Sequence, residues 1–280
     1  MTGPTAESSR RISSFVHQRN RLTGGQQHAW ERWWPLLGHD VADLVGDPAA
    51  YDPQSWFGRV APLLLEIGPG TGESTAAQAA AAPEVDHLAV EVFEPGLARL
   101  LMRIDAAGLT NLRLLRGDAV DLLRVAVAPG ALDGIRIFFP DPWPKRKHRK
   151  RRLVQPEFVA LAASRLRPGG FLHLATDWDD YATQMRVVCA AEPLLENTAT
   201  DRPGGWTPRP DRRPVTRFEE RARVDGRDVR DLLYVRLPYS RTPTTTSPAP
   251  AQAGMFRPAP TWRPGPAAPH PGSEADRVPS

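Results

Sequence analysis

The run Leu63-Leu64-Leu65-Glu66-Ile67-Gly68-Pro69-Gly70-Thr71-Gly72, followed from Ser74 by an alanine-rich segment that ends near Pro83, decides the fold. A short apolar run stopped by glycine is too brief for a helix and reads as a strand buried on both faces. The Gly/Pro cluster is a tight turn, and the alanines beyond it form a helix. Strand, turn and helix make the first half of a βαβ unit.

The pattern then repeats along the chain. His87-Leu88-Ala89-Val90-Glu91-Val92 is a second strand, a helix runs from about Pro95 to Ala107, and Leu112-Arg113-Leu114-Leu115-Arg116 is a third strand ending at Gly117-Asp118-Ala119. Residues 134–139 form a fourth strand. A helix from Pro156 to Leu166 is closed by Arg167-Pro168-Gly169-Gly170, and residues 171–176 are a fifth strand ending in Asp177. Another helix follows from about Trp178, with Tyr181, Met185 and Val188 on one face, and Leu232-Leu233-Tyr234-Val235-Arg236-Leu237 closes the series. Strands alternating with helices give an α/β fold with a largely parallel sheet.

Open parallel sheets bind ligands beyond the carboxyl ends of their strands, where Glu66, Glu91 and Asp118 fall. A nicotinamide fingerprint needs G-x-G-x-x-G, but here the third glycine arrives one residue early, which disfavours that cofactor. Gly68, Gly70 and Gly72 lack the Cβ atoms that would bar a ligand from the backbone. Glu91 follows Gly72 by roughly the twenty residues at which an acid receives ribose hydroxyls in such folds. Asp118 is placed to accept a hydrogen bond from an adenine amino group.

The fourth strand delivers Phe138-Phe139-Pro140-Asp141-Pro142-Trp143-Pro144 to the same edge, followed by a run from Lys145 to Arg152 in which only His148 is neither Lys nor Arg. Each proline fixes its own φ and steers the preceding residue away from helix, so Asp141 is expected on a stiff extended turn. Clustered cations repel one another unless a polyanion neutralises them, and nucleic acid is the candidate partner.

The remaining sequence sets bounds. The chain has 280 residues, is 41% hydrophobic, and carries a formal net charge of +4; its pI of about 9.6 reflects concentrated rather than dominant cations. Residues 1–10 and 241–280 are expected to be disordered, with a single α/β domain over 11–240 that includes a helical extension over 11–60. In that extension Thr23 and Gln26 have capping-box spacing, and Ala29, Trp30, Trp33 and Leu37 recur at helical spacing up to a break at Pro35, the tryptophans serving as core anchors. Arg19 and Arg21 are further candidates for phosphate contact. Residues 198–214 are too polar for an element and read as a lid or binding arm. The single Cys189 excludes an internal disulfide, and no stretch has the form of a signal peptide or membrane span, so a cytoplasmic protein is expected. No Cys/His pattern fits a structural metal.

Taken with its motifs, the sequence resembles the bacterial tRNA (guanine-N7-)-methyltransferases, class I S-adenosylmethionine-dependent enzymes. Pro140-Asp141-Pro142-Trp143-Pro144-Lys145 with its basic run, Ala175-Thr176-Asp177, and Arg213-Pro214-Val215-Thr216-Arg217-Phe218-Glu219 carry the resemblance. It implies a Rossmann-like fold with a mostly parallel seven-stranded sheet and helices on both faces. It also implies methyl transfer to guanine N7 in tRNA, in the family at position 46 of the variable loop, by a monomer or homodimer with no role for DNA. By the same resemblance Glu66, Glu91, Asp118 and Asp141 are cofactor positions, with Asp141 also the active-site residue. Lys145, Asp177, Thr216, Arg217, Phe218 and Glu219 are substrate positions, and Lys147, His148, Arg149, Lys150, Arg151 and Arg152 the RNA contact. Arg217 stands where the family usually has lysine, Ala222 where it tends to have glycine, and Arg227 where histidine is frequent. Either Asp177 or Glu219 would accept the guanine N1–H and amino protons. The alternatives are an amino-methyltransferase and an RNA-binding protein of the same fold without catalysis.

Overall fold

The computed structural model describes residues 21–211 and 213–238. Arg19 and the expectations for residues 1–10 and 241–280 lie outside the described residues.

Among the described residues eight strands form one sheet: β1 (Gly38–Asp40), β2 (Leu63–Ile67), β3 (Asp86–Glu91), β4 (Leu112–Arg116), β5 (Leu132–Phe138), β6 (Leu166–Thr176), β7 (Leu195–Asn197) and β8 (Arg230–Arg236). Their order is β1-β4-β3-β2-β5-β6-β8-β7. The pairings from β1 through β6 are parallel, and β8 runs antiparallel to both β6 and β7. This is the Rossmann-like class I arrangement with one strand more than expected. The addition is β1, which joins the far edge in register Gly38↔Leu114, His39↔Leu115, Asp40↔Arg116.

The helices are α1 (Gly24–Leu37), α2 (Val41–Gly46), α3 (Pro53–Phe57), α4 (Glu73–Ala81), α5 (Glu94–Ala107), α6 (Ala119–Asp121), α7 (Pro156–Arg165), α8 (Asp179–Ala191) and α9 (Arg217–Val224). They cover both faces because successive strand residues point to opposite sides. Leu63, Leu65, Ile67, Leu88 and Val90 pack with Phe158, Val159, Tyr181 and Met185 of α7 and α8. Ala89, Leu112 and Leu114 pack instead with Ala76 and Ala79 of α4, Leu97, Leu100 and Leu101 of α5, and Ala29 of α1. Among the described residues no helix is long and apolar enough to cross a membrane.

The capping box forms as spaced, with Thr23 and Gln26 exchanging side-chain bonds to each other's backbone N–H groups. Contrary to the expected break, α1 continues through Pro35 to Leu37. Pro35 forgoes the bond that an N–H there would make to the Glu31 carbonyl, and the helix ends two residues beyond it. Trp30, Trp33, Trp34 and Leu37 pack against the α4–α5 core, and Trp30 stacks on Trp34 with centroids 4.2 Å apart.

The turn after β2 shows why glycine is required. Gly68, Gly70 and Gly72 all have left-handed φ, at 74°, 58° and 71°. A Cβ at Gly72 would also lie 2.4 Å from Leu100, whereas at Gly68 it would meet open space. Gly68→Ala should therefore cost only the left-handed penalty, about 1–2 kcal/mol. Gly72→Ala should cost about 1–3 kcal/mol more from overpacking. Urea denaturation of the two variants measures the difference, and equal losses would refute the role of Leu100.

Candidate active site

Because β4, β3, β2, β5 and β6 are parallel neighbours, their carboxyl ends share one rim. Asp118 follows β4, Glu91 ends β3, Glu66 lies one residue before the end of β2, Asp141 follows β5, and Asp177 follows β6. The structure thus brings together the acids that the sequence singled out.

Each carboxylate has a different environment. Glu66 is buried, and its Oε2 has no hydrogen-bond partner among the described residues. Burial raises its pKa above the usual carboxylate range, with the Arg136 charge opposing. Glu91 accepts three backbone N–H bonds, from Gly70 at 3.3 Å, Val92 at 2.7 Å and Phe93 at 3.0 Å. Burial raises its pKa too; these bonds work against the shift, and the nearby Asp141 charge adds to it. Asp118 caps the turn after β4, its Oδ1 accepting from Val120 at 2.7 Å and from Asp121 at 3.4 Å. Asp177 is half-buried and pairs through Oδ2 with Arg227 at 3.0 Å. Asp141 is exposed and has no hydrogen bond or ion pair among the described residues.

The turn that carries Asp141 is stiff, but it is not extended throughout. Phe139 and Trp143, each preceding a proline, take left-handed φ of 51° and 41°. Such a conformation in a non-glycine residue costs on the order of 1–3 kcal/mol and persists only where surrounding contacts dictate it. Phe139 donates its N–H to Ala175 O at 2.8 Å, and its ring stacks on Phe218 at 5.9 Å and 16°. Trp143 lies beneath the Arg151 guanidinium at 5.0 Å and meets His148 edge-on at 5.9 Å.

The basic run is folded as a 3-10 helix, Arg146–Arg151. Lys145, Arg146, Lys147 and Lys150 are exposed and have no carboxylate partner among the described residues. Arg149 pairs with Asp180 at 3.0 Å. Desolvation, then the charges of Arg151, Lys147 and Lys145, lowers the pKa of His148. Arg152 corrects the sequence reading. It is 2% exposed, donates to Pro142 O at 2.8 Å and Gln184 Oε1 at 2.7 Å, pairs with Asp180, and lies over the Tyr181 ring. It ties the acidic turn to α8 and does not face solvent.

The last motif also differs from expectation. Thr216 caps α9, its Oγ1 accepting from the Glu219 N–H at 3.2 Å. The T-x-x-E spacing of Thr216 and Glu219 is the signal from which this helix could have been read. Arg217 is exposed, 3.8 Å from Glu73 at the start of α4, which sets α9 beside the glycine turn. Phe218 remains 60% exposed. Glu219 is 4% exposed, and both of its oxygens are taken, Oε1 by Arg209 at 2.9 Å and Oε2 by Arg213 at 2.7 Å. It is therefore not free to read a guanine edge. Arg213 opens the motif the sequence singled out, but sequence reasoning gave it no role, since it looks like one more charge in a polar loop.

The residues present fit an adenosyl cofactor. Space beside Gly68 and Gly70 lies open where a Cβ would project, Glu91 stands next to Gly70, and the unpartnered Glu66 Oε2 lies on the same strand end.

Residues 60–232 match the family model described as "Putative methyltransferase". A protein named tRNA (guanine-N(7)-)-methyltransferase from Mycobacterium sp. (strain KMS) is 54% identical over 237 residues, covering 84% of this chain and 84% of the relative. Proteins of the same name from Streptomyces avermitilis and Acidovorax sp. (strain JS42) are 49% and 50% identical. They cover 84% and 80% of this chain, and 80% and 86% of their own lengths.

The environment of Glu66 predicts a pH effect. A carboxyl whose folded-state pKa is raised favours folding at low pH and opposes it once pH climbs through that pKa. Glu66→Gln should therefore be more stable than the parent protein at pH 8, and the difference should vanish towards pH 4. Urea denaturation at the two pH values checks this; a variant less stable at pH 8 would show that Arg136 outweighs burial.

Proposed function

Because the chain belongs to the tRNA (guanine-N7-)-methyltransferase family, we propose that it transfers a methyl group from S-adenosylmethionine to N7 of a guanine in tRNA, forming 7-methylguanosine. The observation that carries this reading is the shared rim. It sets a glycine turn and Glu91, fit for an adenosyl group, beside Asp141 and a run of exposed cations. Glu66, Gly68, Gly70, Gly72, Glu91 and Asp118 would hold the cofactor, which supplies a sulfonium methyl.

Guanine N7 carries a free lone pair, so no proton has to leave before it attacks. The side chains of this site therefore need only orient the base and answer its charge. As methyl transfer places positive charge on the purine, the Asp141 carboxylate stabilises it. Asp177 accepts from the guanine N1–H and amino group with the oxygen that Arg227 leaves free. It is preferred over Glu219, whose oxygens both hold arginines. Phe218 and Thr216 sit at the start of α9 beside the acidic turn, where a base would enter. Lys145 and the exposed cations after it hold phosphates, which set register without reading sequence.

Incubating the protein with S-adenosylmethionine and unmodified tRNA, followed by nucleoside mass spectrometry, tests the reaction: 7-methylguanosine is expected, and a methylated exocyclic amine would overturn it. Asp141→Asn keeps the shape of the turn and removes the charge. Its single-turnover rate should fall by about 10²-fold or more, with the fold intact by circular dichroism. Near-normal turnover would reduce Asp141 to a positioning role.

The exposed cations make a separate prediction. Changing Arg146, Lys147 and Lys150 to Ala should make the slope of log K for tRNA against log salt shallower by roughly 0.7–0.9 for each phosphate no longer neutralised. Cofactor affinity should stay the same. An unaltered salt slope would mean that these side chains are merely solvated.

A further inference from the structure

We infer that Arg213 is the positioning residue of this site: its buried guanidinium locks the α9 substrate segment onto the turn that carries Asp141. The inference rests on the reaction proposed above. Arg213 has a side chain only 1% exposed. Nη1 donates to Glu219 of α9 at 2.7 Å and Nη2 to Asp231 of β8 at 3.0 Å. Asp231 in turn meets His173 Nε2 of β6 at 2.8 Å. Arg209, which pairs with Glu219, also donates to the Arg213 carbonyl at 2.5 Å, so the loop folds back on its own anchor.

The guanidinium carbon lies 5.9 Å from the Phe138 ring centroid and 5.8 Å from that of Phe139, the two residues that lead into Pro140-Asp141. Phe139 stacks on Phe218 at 5.9 Å. One side chain thus touches the entry to the acidic turn and, through Glu219, the helix whose first residues flank that turn.

Stability alone does not account for this arrangement. Two buried carboxylates and a buried guanidinium lose hydration that their mutual attraction only offsets, and apolar side chains of similar size often hold a fold equally well. What the planar fork adds is direction, since two parallel donors fix the angle between the groups they bridge. A lysine in its place keeps the charge and loses that fork.

Arg213→Lys in the full chain separates the two roles. Active sites are counted by S-adenosylmethionine binding, and the single-turnover rate at saturating tRNA is measured per site. The rate should fall roughly 10–100-fold, since misplacement by about 1 Å can cost 10²-fold. The Kd for S-adenosylmethionine should stay within about twofold, because Arg213 does not reach the glycine turn. Amide exchange protection in α9 should fall at least about tenfold, with β2 and β5 unaffected. A purely structural Arg213 would lower the count of active sites and leave the rate per site unchanged, which would overturn the inference. If Arg213→Lys does not fold, Asp231→Asn decides. It leaves the Glu219 pairing in place and loosens the anchor on β8, so the same loss per site is expected, and an unchanged rate again overturns the inference. Parent protein that yields no 7-methylguanosine would sink the proposed reaction instead. The exchange behaviour of α9 reads the Arg213 lock independently of turnover.

Discussion

Parallel strands all finish at the same edge of their sheet, and the site depends on that constraint. With five parallel neighbours ending in acids, the fold gathers negative charge along one rim, where like charges oppose one another. The structure relieves four of these acids locally. Glu66 is pushed by burial towards its neutral form, Glu91 is met by three backbone N–H groups, Asp118 caps a turn, and Asp177 takes Arg227. Of the five rim acids, Asp141 alone keeps an exposed carboxylate with no hydrogen bond or ion pair among the described residues. The acid without a structural partner is the one that the proposed reaction uses to answer charge developing on a substrate.

The cations divide along similar lines. Arg152 and Arg213 are themselves buried and spend their planar donors on carboxylates and carbonyls of the fold, while Lys145, Lys147 and Lys150 stay in solvent. Lysine is a compact, strongly hydrated charge that neutralises a phosphate without fixed geometry, whereas arginine holds two acceptors at a set angle. Within the basic run, then, the buried Arg152 builds the turn, while Lys145, Arg146, Lys147 and Lys150 stay exposed and, under the proposed function, meet a polyanion.

Much of this was legible in the sequence. β2 to β6 followed from short apolar runs stopped by glycine or acid, and the acids at their ends followed from the handedness and connectivity of βαβ units. β1 and β7 were not legible, because Gly-His-Asp and Leu-Glu-Asn have neither length nor alternation. β1 is held to β4 by its backbone register and by the pairing of Arg116 with Asp40 at 2.5 Å, while Glu94 of α5 takes another nitrogen of the same guanidinium at 2.6 Å. The roles of Arg152 and Arg213 were hidden for a related reason. A charge in a charged run looks solvated until the carboxylates that bury it are known, and Asp180 and Asp231 lie 28 and 18 residues away in the chain.

The strain beside Asp141 joins these observations. Local rules favour an extended residue before each proline, yet Phe139 and Trp143 both turn left-handed. Neither can hold that conformation unaided, so each depends on what packs against its ring. For Phe139 this is Phe218 of α9 together with Arg213; for Trp143 it is Arg151 and His148 of the basic 3-10 helix. The aim of Asp141 is therefore set from two sides, by α9 and by the cationic run. Under the proposed function, RNA that presses on either surface would act on this same strained turn and so on the placement of the carboxylate.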